Sequence, residues 1–93
     1  MPYVYILRCC DGSLYTGAAK NVGRRVVQHQ AGTASKYTRS RRPLTLAWFC
    51  LTRTWSRALQ VERQIKQLPR SQKLALLAAG PVGRSRVLRS LLR

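Results

Sequence analysis

Acidic residues are almost missing from this sequence of 93 residues, which has only Asp11 and Glu62, and it has a single histidine, His29. Glycosidases and aspartic proteases catalyse with a pair of carboxylates, so this scarcity argues against both classes of enzyme. A site for two metal ions normally shares several carboxylates, and it is disfavoured for the same reason.

Cysteines are also few, and their spacing forms no zinc motif. Cys9, Cys10 and Cys50 are odd in number and include no Cys-x-x-Cys pair. We therefore expect a reduced chain without a disulfide partner, located in the cytoplasm. No apolar run approaches the roughly 20 residues of a membrane span, and no basic stretch precedes an apolar one at the N-terminus. The sequence thus predicts neither a membrane span nor a signal peptide.

Positive charge is what the sequence has in excess. Lys and Arg number 18, which gives a formal net charge of +16. Such a charge indicates a polyanionic partner, most often nucleic acid and less often an anionic membrane. The length suits one domain with a small core.

The hydrophobic pattern predicts a small α/β domain of the α+β type. Strands are expected at residues 3–8, 13–17 and 44–51, with Asp11-Gly12 as a hairpin turn between the first two. Helices are expected from the cap Asn21 to about residue 30, from Thr54 or Ser56 to about residue 68, and over residues 71–79. Residues 33–42 fit either a loop or a short helix. The order β-β-α-β-α-α predicts a three-stranded antiparallel sheet flanked by helices.

Glu62 lies within the apolar arc of its predicted helix. At 100° per residue, the apolar side chains of this helix share one arc, and Glu62 falls between Ala58 and Trp55 on it. A carboxylate facing the core edge needs a cation or a metal ion as a partner. The simpler interpretation is a structural ion pair with one of the arginines. The functional one is a metal ligand.

Arg25 and His29 are spaced i, i+4 and share a helix face. The simpler interpretation is a solvated basic face. The alternative is a phosphate clamp beside a proton-transfer group, because the planar guanidinium matches phosphate oxygens and the pKa of histidine lies near neutrality.

Two tyrosines lie within the first two predicted strands. Tyr5 and Tyr15 are most simply packing residues of the sheet. Gly17 follows Tyr15 and leads toward a helix N-terminus, where backbone can approach a phosphate closely. Gly17 is only a weak indication of phosphate binding, because the segment around it is not a glycine-rich phosphate loop.

These residues together resemble the GIY-YIG nuclease family. Val4-Tyr5-Ile6 and Tyr15-Thr16-Gly17 stand for its two tripeptides, with Val4 in place of the first glycine and Thr16 in place of the second isoleucine, and Arg25 with His29 matches its Arg-x-x-x-His/Tyr pair. Glu62 matches the metal-binding glutamate of the family. The segment KYTRSRRPL at residues 36–44 is similar to the short stand-alone bacterial members, the YhbQ type. The resemblance covers residues 3–79 and predicts a nuclease-like domain at residues 1–80, followed by a basic segment at 81–93.

The resemblance implies a metal-dependent endonuclease that hydrolyses phosphodiester bonds in DNA, with repair or recombination as its expected setting. Glu62 would hold one Mg²⁺ or Mn²⁺ ion, and Arg25 would neutralise the phosphate. Tyr5 or Tyr15 would orient or deprotonate the water, with His29 as relay. A phenol is a poor base at pH 7 unless cations lower its pKa, and Lys20 and Arg24 are the candidate cations for this.

A basic cluster is expected to contact the DNA backbone. Its members are Lys36, Tyr37, Arg39, Arg41 and Arg42, with Tyr37 packing or stacking nearby. Gly17, Lys20 and Arg24 complete the set of predicted nucleic-acid contacts. The simpler interpretation of the cluster is a solvated loop.

One turn geometry allows both tyrosines to serve a single site. A three-residue loop at residues 10–12 pairs Tyr5 with Gly17 and Leu7 with Tyr15, which puts both tyrosines on one face of the hairpin. We therefore predict a type I turn with a G1 bulge and a positive φ at Gly12, against the two-residue type I′ turn that Asp-Gly usually indicates.

Two alternatives to a nuclease remain open. The chain could be a nucleic-acid-binding module that cleaves poorly, since charge alone gives sequence-independent affinity. It could also be a small basic structural protein, such as a ribosome-associated factor. Residues 84–93 have an amphipathic pattern, and the favoured interpretation is a helix docked on the domain's own core.

Overall fold

The hairpin has the predicted three-residue loop. The computed structural model describes residues 1–78, and its first strands are β1 (Tyr3–Arg8) and β2 (Leu14–Ala19). The Gly12 amide donates to the Cys9 carbonyl at 2.9 Å, and Gly12 has φ of 84°. The strands pair antiparallel with Tyr5 opposite Gly17 and Leu7 opposite Tyr15. The predicted register is confirmed, so Tyr5 and Tyr15 lie on the same face of the sheet.

The remaining elements follow the predicted order with one addition. They are α1 (Val22–Ala31), α2 (Lys36–Arg39), β3 (Thr45–Leu51), α3 (Trp55–Lys66) and α4 (Arg70–Ala78). The addition is α2, the short-helix alternative for residues 33–42. β2 extends two residues beyond its predicted end at Gly17, because its pairing with β1 continues to Ala19.

Local capping explains where the two long helices begin and where α1 ends. Asn21 caps α1 by accepting from the Arg24 amide at 3.0 Å, and Gly32 ends this helix with φ of 82°. Of the two predicted caps for α3, Thr54 has the role, and it accepts from the Arg57 amide at 3.1 Å.

The sheet has the order β2-β1-β3, with all pairs antiparallel, so the α+β class is confirmed. One face carries Val4, Ile6 and Trp48, and these pack against apolar side chains of α3 and α4. The other face carries Tyr5 and Leu7, against which α1 packs. Since β2 is an edge strand, helices on opposite faces of the sheet can both reach the space beside it.

Several sequence predictions concern residues outside the described part of the chain. These are the predicted helix end at residue 79, the segment at residues 84–93 and the domain boundary between residues 80 and 81. Within residues 1–78, no helix combines the length and apolar character that crossing a membrane requires. The three cysteines, all within this part, are free thiols.

Candidate active site

One cavity beside β2 is lined by all of the predicted catalytic residues. It has a volume of about 210 Å³, and Gly17, Ala34, Trp55 and Leu59 also contribute to its wall. The predicted catalytic residues come from four elements and are Tyr5 of β1, Tyr15 of β2, Arg25 and His29 of α1, and Glu62 of α3. Residues up to 57 positions apart in the sequence thus meet at the sheet edge.

Buried hydrogen bonds join Tyr5, His29 and Thr38. The Tyr5 hydroxyl lies 2.9 Å from His29 Nε2, and His29 Nδ1 lies 2.8 Å from Thr38 Oγ1. Thr38 is completely buried on α2, and its hydroxyl donates to the Ser35 carbonyl at 3.4 Å. With a proton on Nδ1, Thr38 accepts from Nδ1–H and the lone pair of Nε2 faces the Tyr5 hydroxyl, and a bond donated by Thr38 to the Ser35 carbonyl favours this tautomer. Thr38 therefore orients the histidine as a proton acceptor.

His29 is neutral at pH 7 in this setting. Burial lowers the pKa of the imidazole below its usual 6.5, and the positive charge of Arg25 lowers this pKa further. The histidine is 1% exposed, so the simpler interpretation of a solvated Arg25–His29 face is wrong for this residue. A neutral imidazole with a free lone pair can accept a proton.

Burial, rather than the surrounding positive charge, dominates the pKa of Tyr5. Burial raises the pKa of the phenol far above its ordinary value of 10.0, and the neighbouring Tyr15 adds to this rise. Arg25, rather than the expected Lys20 or Arg24, is the cation that lowers the pKa of Tyr5, and burial outweighs its effect. Tyr5 therefore stays protonated at neutral pH and donates its hydrogen bond to His29.

Tyr15 is held by aromatic contacts. Its ring meets that of His29 edge-on, with centroids 5.1 Å apart, and stacks on Tyr37 at 5.9 Å. The Arg41 guanidinium lies over the other ring of this stack, 3.8 Å from the Tyr37 centroid. Tyr37 thus packs against a candidate catalytic tyrosine, as the sequence predicts, and α2 supports the wall of the site through this contact.

Gly17 has a different role from the one expected. The sequence predicts that the space over Gly17 is open for a phosphate. However, a Cβ atom at Gly17 would lie 2.5 Å from the hydroxyl oxygen of Tyr5 and 2.6 Å from the Cζ atom of Tyr5. The Tyr5 ring fills this space, so that interpretation is wrong. Glycine at position 17 lets the Tyr5 hydroxyl reach His29.

Glu62 faces the cavity with a lysine beside it. Its side chain is 18% exposed and pairs with Lys66 at 2.7 Å, so the partner is a lysine one turn along α3 rather than the arginine of the simpler interpretation. Trp55 was also expected in the buried arc, but it is 43% exposed at the rim of the cavity. Only the inner part of that arc, Ala58, Val61 and Ile65, is buried.

The donor atoms at the cavity fit a site for one hard cation. Within residues 1–78 there is no cluster of three or more metal-ligating side chains. Magnesium is commonly bound through one or two carboxylates, with water and phosphate oxygens as its other ligands. The Glu62 carboxylate supplies one oxygen ligand of this type at an open cavity, and water and phosphate oxygens can supply the others.

The predicted nucleic-acid contacts divide into two groups. Lys20 and Arg24 line a second cavity of about 370 Å³ beside Arg25, and Lys36 and Arg39 are exposed on α2. Arg41 instead pairs with Asp11 at 3.1 Å. Arg42 donates to the carbonyls of Arg39 and Gln30. The charge of Arg41 is thus compensated by Asp11 within the protein, whereas the sequence predicts that Arg41 contacts a DNA phosphate.

Two residues of the site were missed by sequence reasoning. Thr38 lies in the basic segment, and nothing in the spacing of that segment indicates a contact with a histidine nine positions earlier. Helical periodicity predicts that Trp55 shares the apolar face of α3. It does not indicate whether a neighbouring element covers that part of the face.

Comparisons with known proteins identify the family to which the chain belongs. The family described as GIY-YIG catalytic domain matches residues 1–75. A UPF0213 protein of Staphylococcus saprophyticus is 45% identical over 78 residues, which are 84% of this chain and 95% of the relative. A UPF0213 protein of Staphylococcus aureus is 48% identical over 75 residues, which are 81% of this chain and 92% of the relative. The solution NMR structure of a UPF0213 protein from Bacillus halodurans matches with a TM-score of 0.57 and 39% identity, covering 90% of this chain and 89% of that one. The resemblance that the sequence motifs indicate is confirmed, and the chain belongs to the GIY-YIG catalytic domain family.

Proposed function

We propose that this protein is a metal-dependent endonuclease that hydrolyses phosphodiester bonds in DNA in the cytoplasm, with repair or recombination as its setting. Membership of a nuclease family supports the reaction class. The observation that carries the proposal is the convergence of Tyr5, Tyr15, Arg25, His29 and Glu62 on one cavity. Packing alone would not require this combination of acid, base and cation.

The proton path begins at Tyr5. A water molecule that donates to the Tyr5 oxygen can give up its proton while Tyr5 passes its own proton to His29 Nε2, 2.9 Å away. The resulting hydroxide attacks phosphorus, the bond between phosphorus and the 3′ oxygen breaks, and His29 holds the proton as an imidazolium ion. Tyr5 never has to exist as a free phenolate, which is consistent with its raised pKa. Tyr15, whose ring is fixed between His29 and Tyr37, orients the water.

Charge on the reacting phosphate is neutralised from two sides. Arg25 lines the cavity from α1, and its guanidinium can donate to phosphate oxygens. Glu62 lines it from α3 and would hold one Mg²⁺ or Mn²⁺ ion. When bound, this ion would supply positive charge at the scissile phosphate and at the leaving 3′ oxygen. One carboxylate at the cavity fits a mechanism with one metal ion.

A nicking assay tests the proposal directly. Supercoiled plasmid and branched DNA are incubated with the protein and Mg²⁺, with and without EDTA. We expect nicked or cleaved products with the metal and none with the chelator. Cleavage that persists in EDTA would overturn the metal-dependent mechanism, and absence of products with Mg²⁺ and with Mn²⁺ would overturn the nuclease assignment.

A nucleic-acid-binding protein with little or no cleavage activity is the second candidate function. Its support is the net charge of +16 on a chain of 93 residues, which gives affinity for polyanions whatever the site does. Retained DNA binding in an electrophoretic shift assay, together with no cleavage under any metal condition, would favour this second function.

A further inference from the structure

Three neighbouring cavities lie along α1 and share residues in their walls. The candidate active site and the second cavity share Arg25 and Trp55 in their walls. The second cavity shares Lys20 and Asn21 with a third one of about 440 Å³. Helix α1 contributes residues to all three, so we call this feature the α1 groove. It leads from Glu62 at one end to Phe49 of β3 at the other.

An exposed indole lies where the first two cavities of the α1 groove meet. Trp55 is the first residue of α3 and is 43% exposed, whereas Trp48 is completely buried. Exposed aromatic rings beside a basic groove are the platforms on which bases of single strands stack. Arg24, Arg25 and Gln28 line the same cavity and can donate hydrogen bonds to phosphate oxygens.

The far end of the α1 groove is an aromatic pocket. Tyr3 and Phe49 meet edge-on there with centroids 6.0 Å apart, and Val22 and Leu46 complete the apolar wall. Lys20 lies at its rim. Neither this cavity nor the middle one has an acidic residue in its wall, since the two acids of the sequence are Asp11 in the hairpin loop and Glu62 at the opposite end. An apolar pocket with a cation at its rim suits a flat aromatic base joined to a phosphate.

We propose that the α1 groove binds one unpaired DNA strand, with a base stacked on Trp55 and another base in the Tyr3–Phe49 pocket. Lys20 and Arg24 would contact the phosphates between them. A base within a duplex has both faces covered by its neighbours, so it can neither stack on an indole nor enter a pocket without leaving the helix. This inference rests on the proposed function and deepens it. The substrate would be a DNA with an unpaired strand beside the cleaved phosphate.

Binding can be measured without any cleavage. Tryptophan fluorescence is followed in EDTA while the protein is titrated with a short single strand, with a blunt duplex of the same sequence, and with an abasic strand of equal length. Stacking on Trp55 quenches its emission, and buried Trp48 gives a constant background. We expect quenching by the single strand and at least about tenfold tighter binding of this strand than of the abasic one, because each stacked base contributes substantially to affinity.

Variants separate the two base sites from general charge. Trp55→Leu should abolish the quenching, and Trp55→Leu and Phe49→Leu should each weaken single-strand binding by about tenfold while leaving abasic binding unchanged. Arg63→Gln is the control, because Arg63 is exposed on α3 and lines none of the three cavities. It should leave the preference for the single strand over the abasic strand as it is. Thermal melting of each variant verifies that it is folded.

The possible outcomes distinguish this inference from the nuclease assignment. Equal affinity for the abasic strand and the single strand, or equal affinity for the duplex, would overturn the α1 groove as a site for unpaired bases. Because this comparison uses the unmodified protein, it holds even if Phe49→Leu fails to fold. A protein that prefers the single strand but never cuts DNA would keep the groove and overturn the nuclease assignment, and a nuclease without this preference would do the reverse.

Discussion

Replacing Glu62 by glutamine removes the carboxylate of the candidate site and nearly preserves its shape. In the proposed mechanism this variant loses the ligand of the metal ion, whose stabilisation of a transition state is worth several kcal/mol. We therefore expect cleavage to fall by at least about a hundredfold. DNA affinity should change little, because it rests on the many cations of the chain.

The cost of this change in stability can be worked out from the ion pair. Glu62 pairs with Lys66, whose side chain is 53% exposed, in the i, i+4 arrangement with the acid first. Such pairs contribute about 0.3–0.5 kcal/mol, so the melting temperature of a domain this size should fall by about 1–4 °C. A carboxylate whose role was a buried structural pair would cost about 3–5 kcal/mol on losing its partner.

Lys66→Gln is the matched control, since it breaks the same ion pair and leaves the carboxylate in place. The assays are plasmid nicking with Mg²⁺ and thermal melting by circular dichroism. We expect Lys66→Gln to melt like Glu62→Gln and to keep its cleavage activity. The reasoning is refuted if Glu62→Gln cleaves like the parent, or if both variants lose cleavage to the same extent.

Three further predictions follow from the site. Gly17→Ala should displace the Tyr5 hydroxyl from His29 and lower cleavage by about tenfold or more, as the loss of a proton-transfer contact predicts, in the nicking assay. Stability should fall as pH drops below 6.5, because the pKa of His29 is lower in the folded state than in the unfolded one and the unfolded state therefore binds more protons. This loss ends once pH is below the folded-state pKa, and melting temperatures measured across the range verify it. Changing both Lys36 and Arg39 to Gln should make the slope of log K against log salt shallower by about 1.8 in binding titrations with duplex DNA.

Each of these three predictions has a control variant or an outcome that would contradict it. Gly23→Ala adds the same methyl group where its nearest neighbour is 3.6 Å away, so it should keep the hydrogen bond between Tyr5 and His29 and lower cleavage much less than Gly17→Ala. His29→Gln should flatten the pH dependence of stability; an unchanged dependence would assign it to another group. A salt slope that stays the same would remove α2 from the DNA interface, and Arg63→Gln shows how much one exposed charge elsewhere contributes.

The sequence by itself determined the features that depend on local geometry. The hairpin register follows from strand alternation and from the need for Tyr5 and Tyr15 to share a face, and a glycine at position 12 can adopt the φ of 84° that this loop requires. The helix starts at Asn21 and Thr54 follow from side-chain oxygens that satisfy free amides. The motif residues likewise indicated which side chains would meet, because their spacing matches one known family.

The tertiary structure alone decided what surrounds each of these side chains. Helical periodicity placed Trp55 on the apolar arc, but its exposure depends on whether another element covers the first turn of α3. The pKa of Tyr5 depends on how completely the packed elements exclude water, which the number of basic residues in the sequence does not reveal. The contact of Thr38 with His29 and the filling of the space over Gly17 by Tyr5 are likewise contacts between separate elements. Burial and contact across elements are properties of the assembled fold, and no local pattern along the chain contains them.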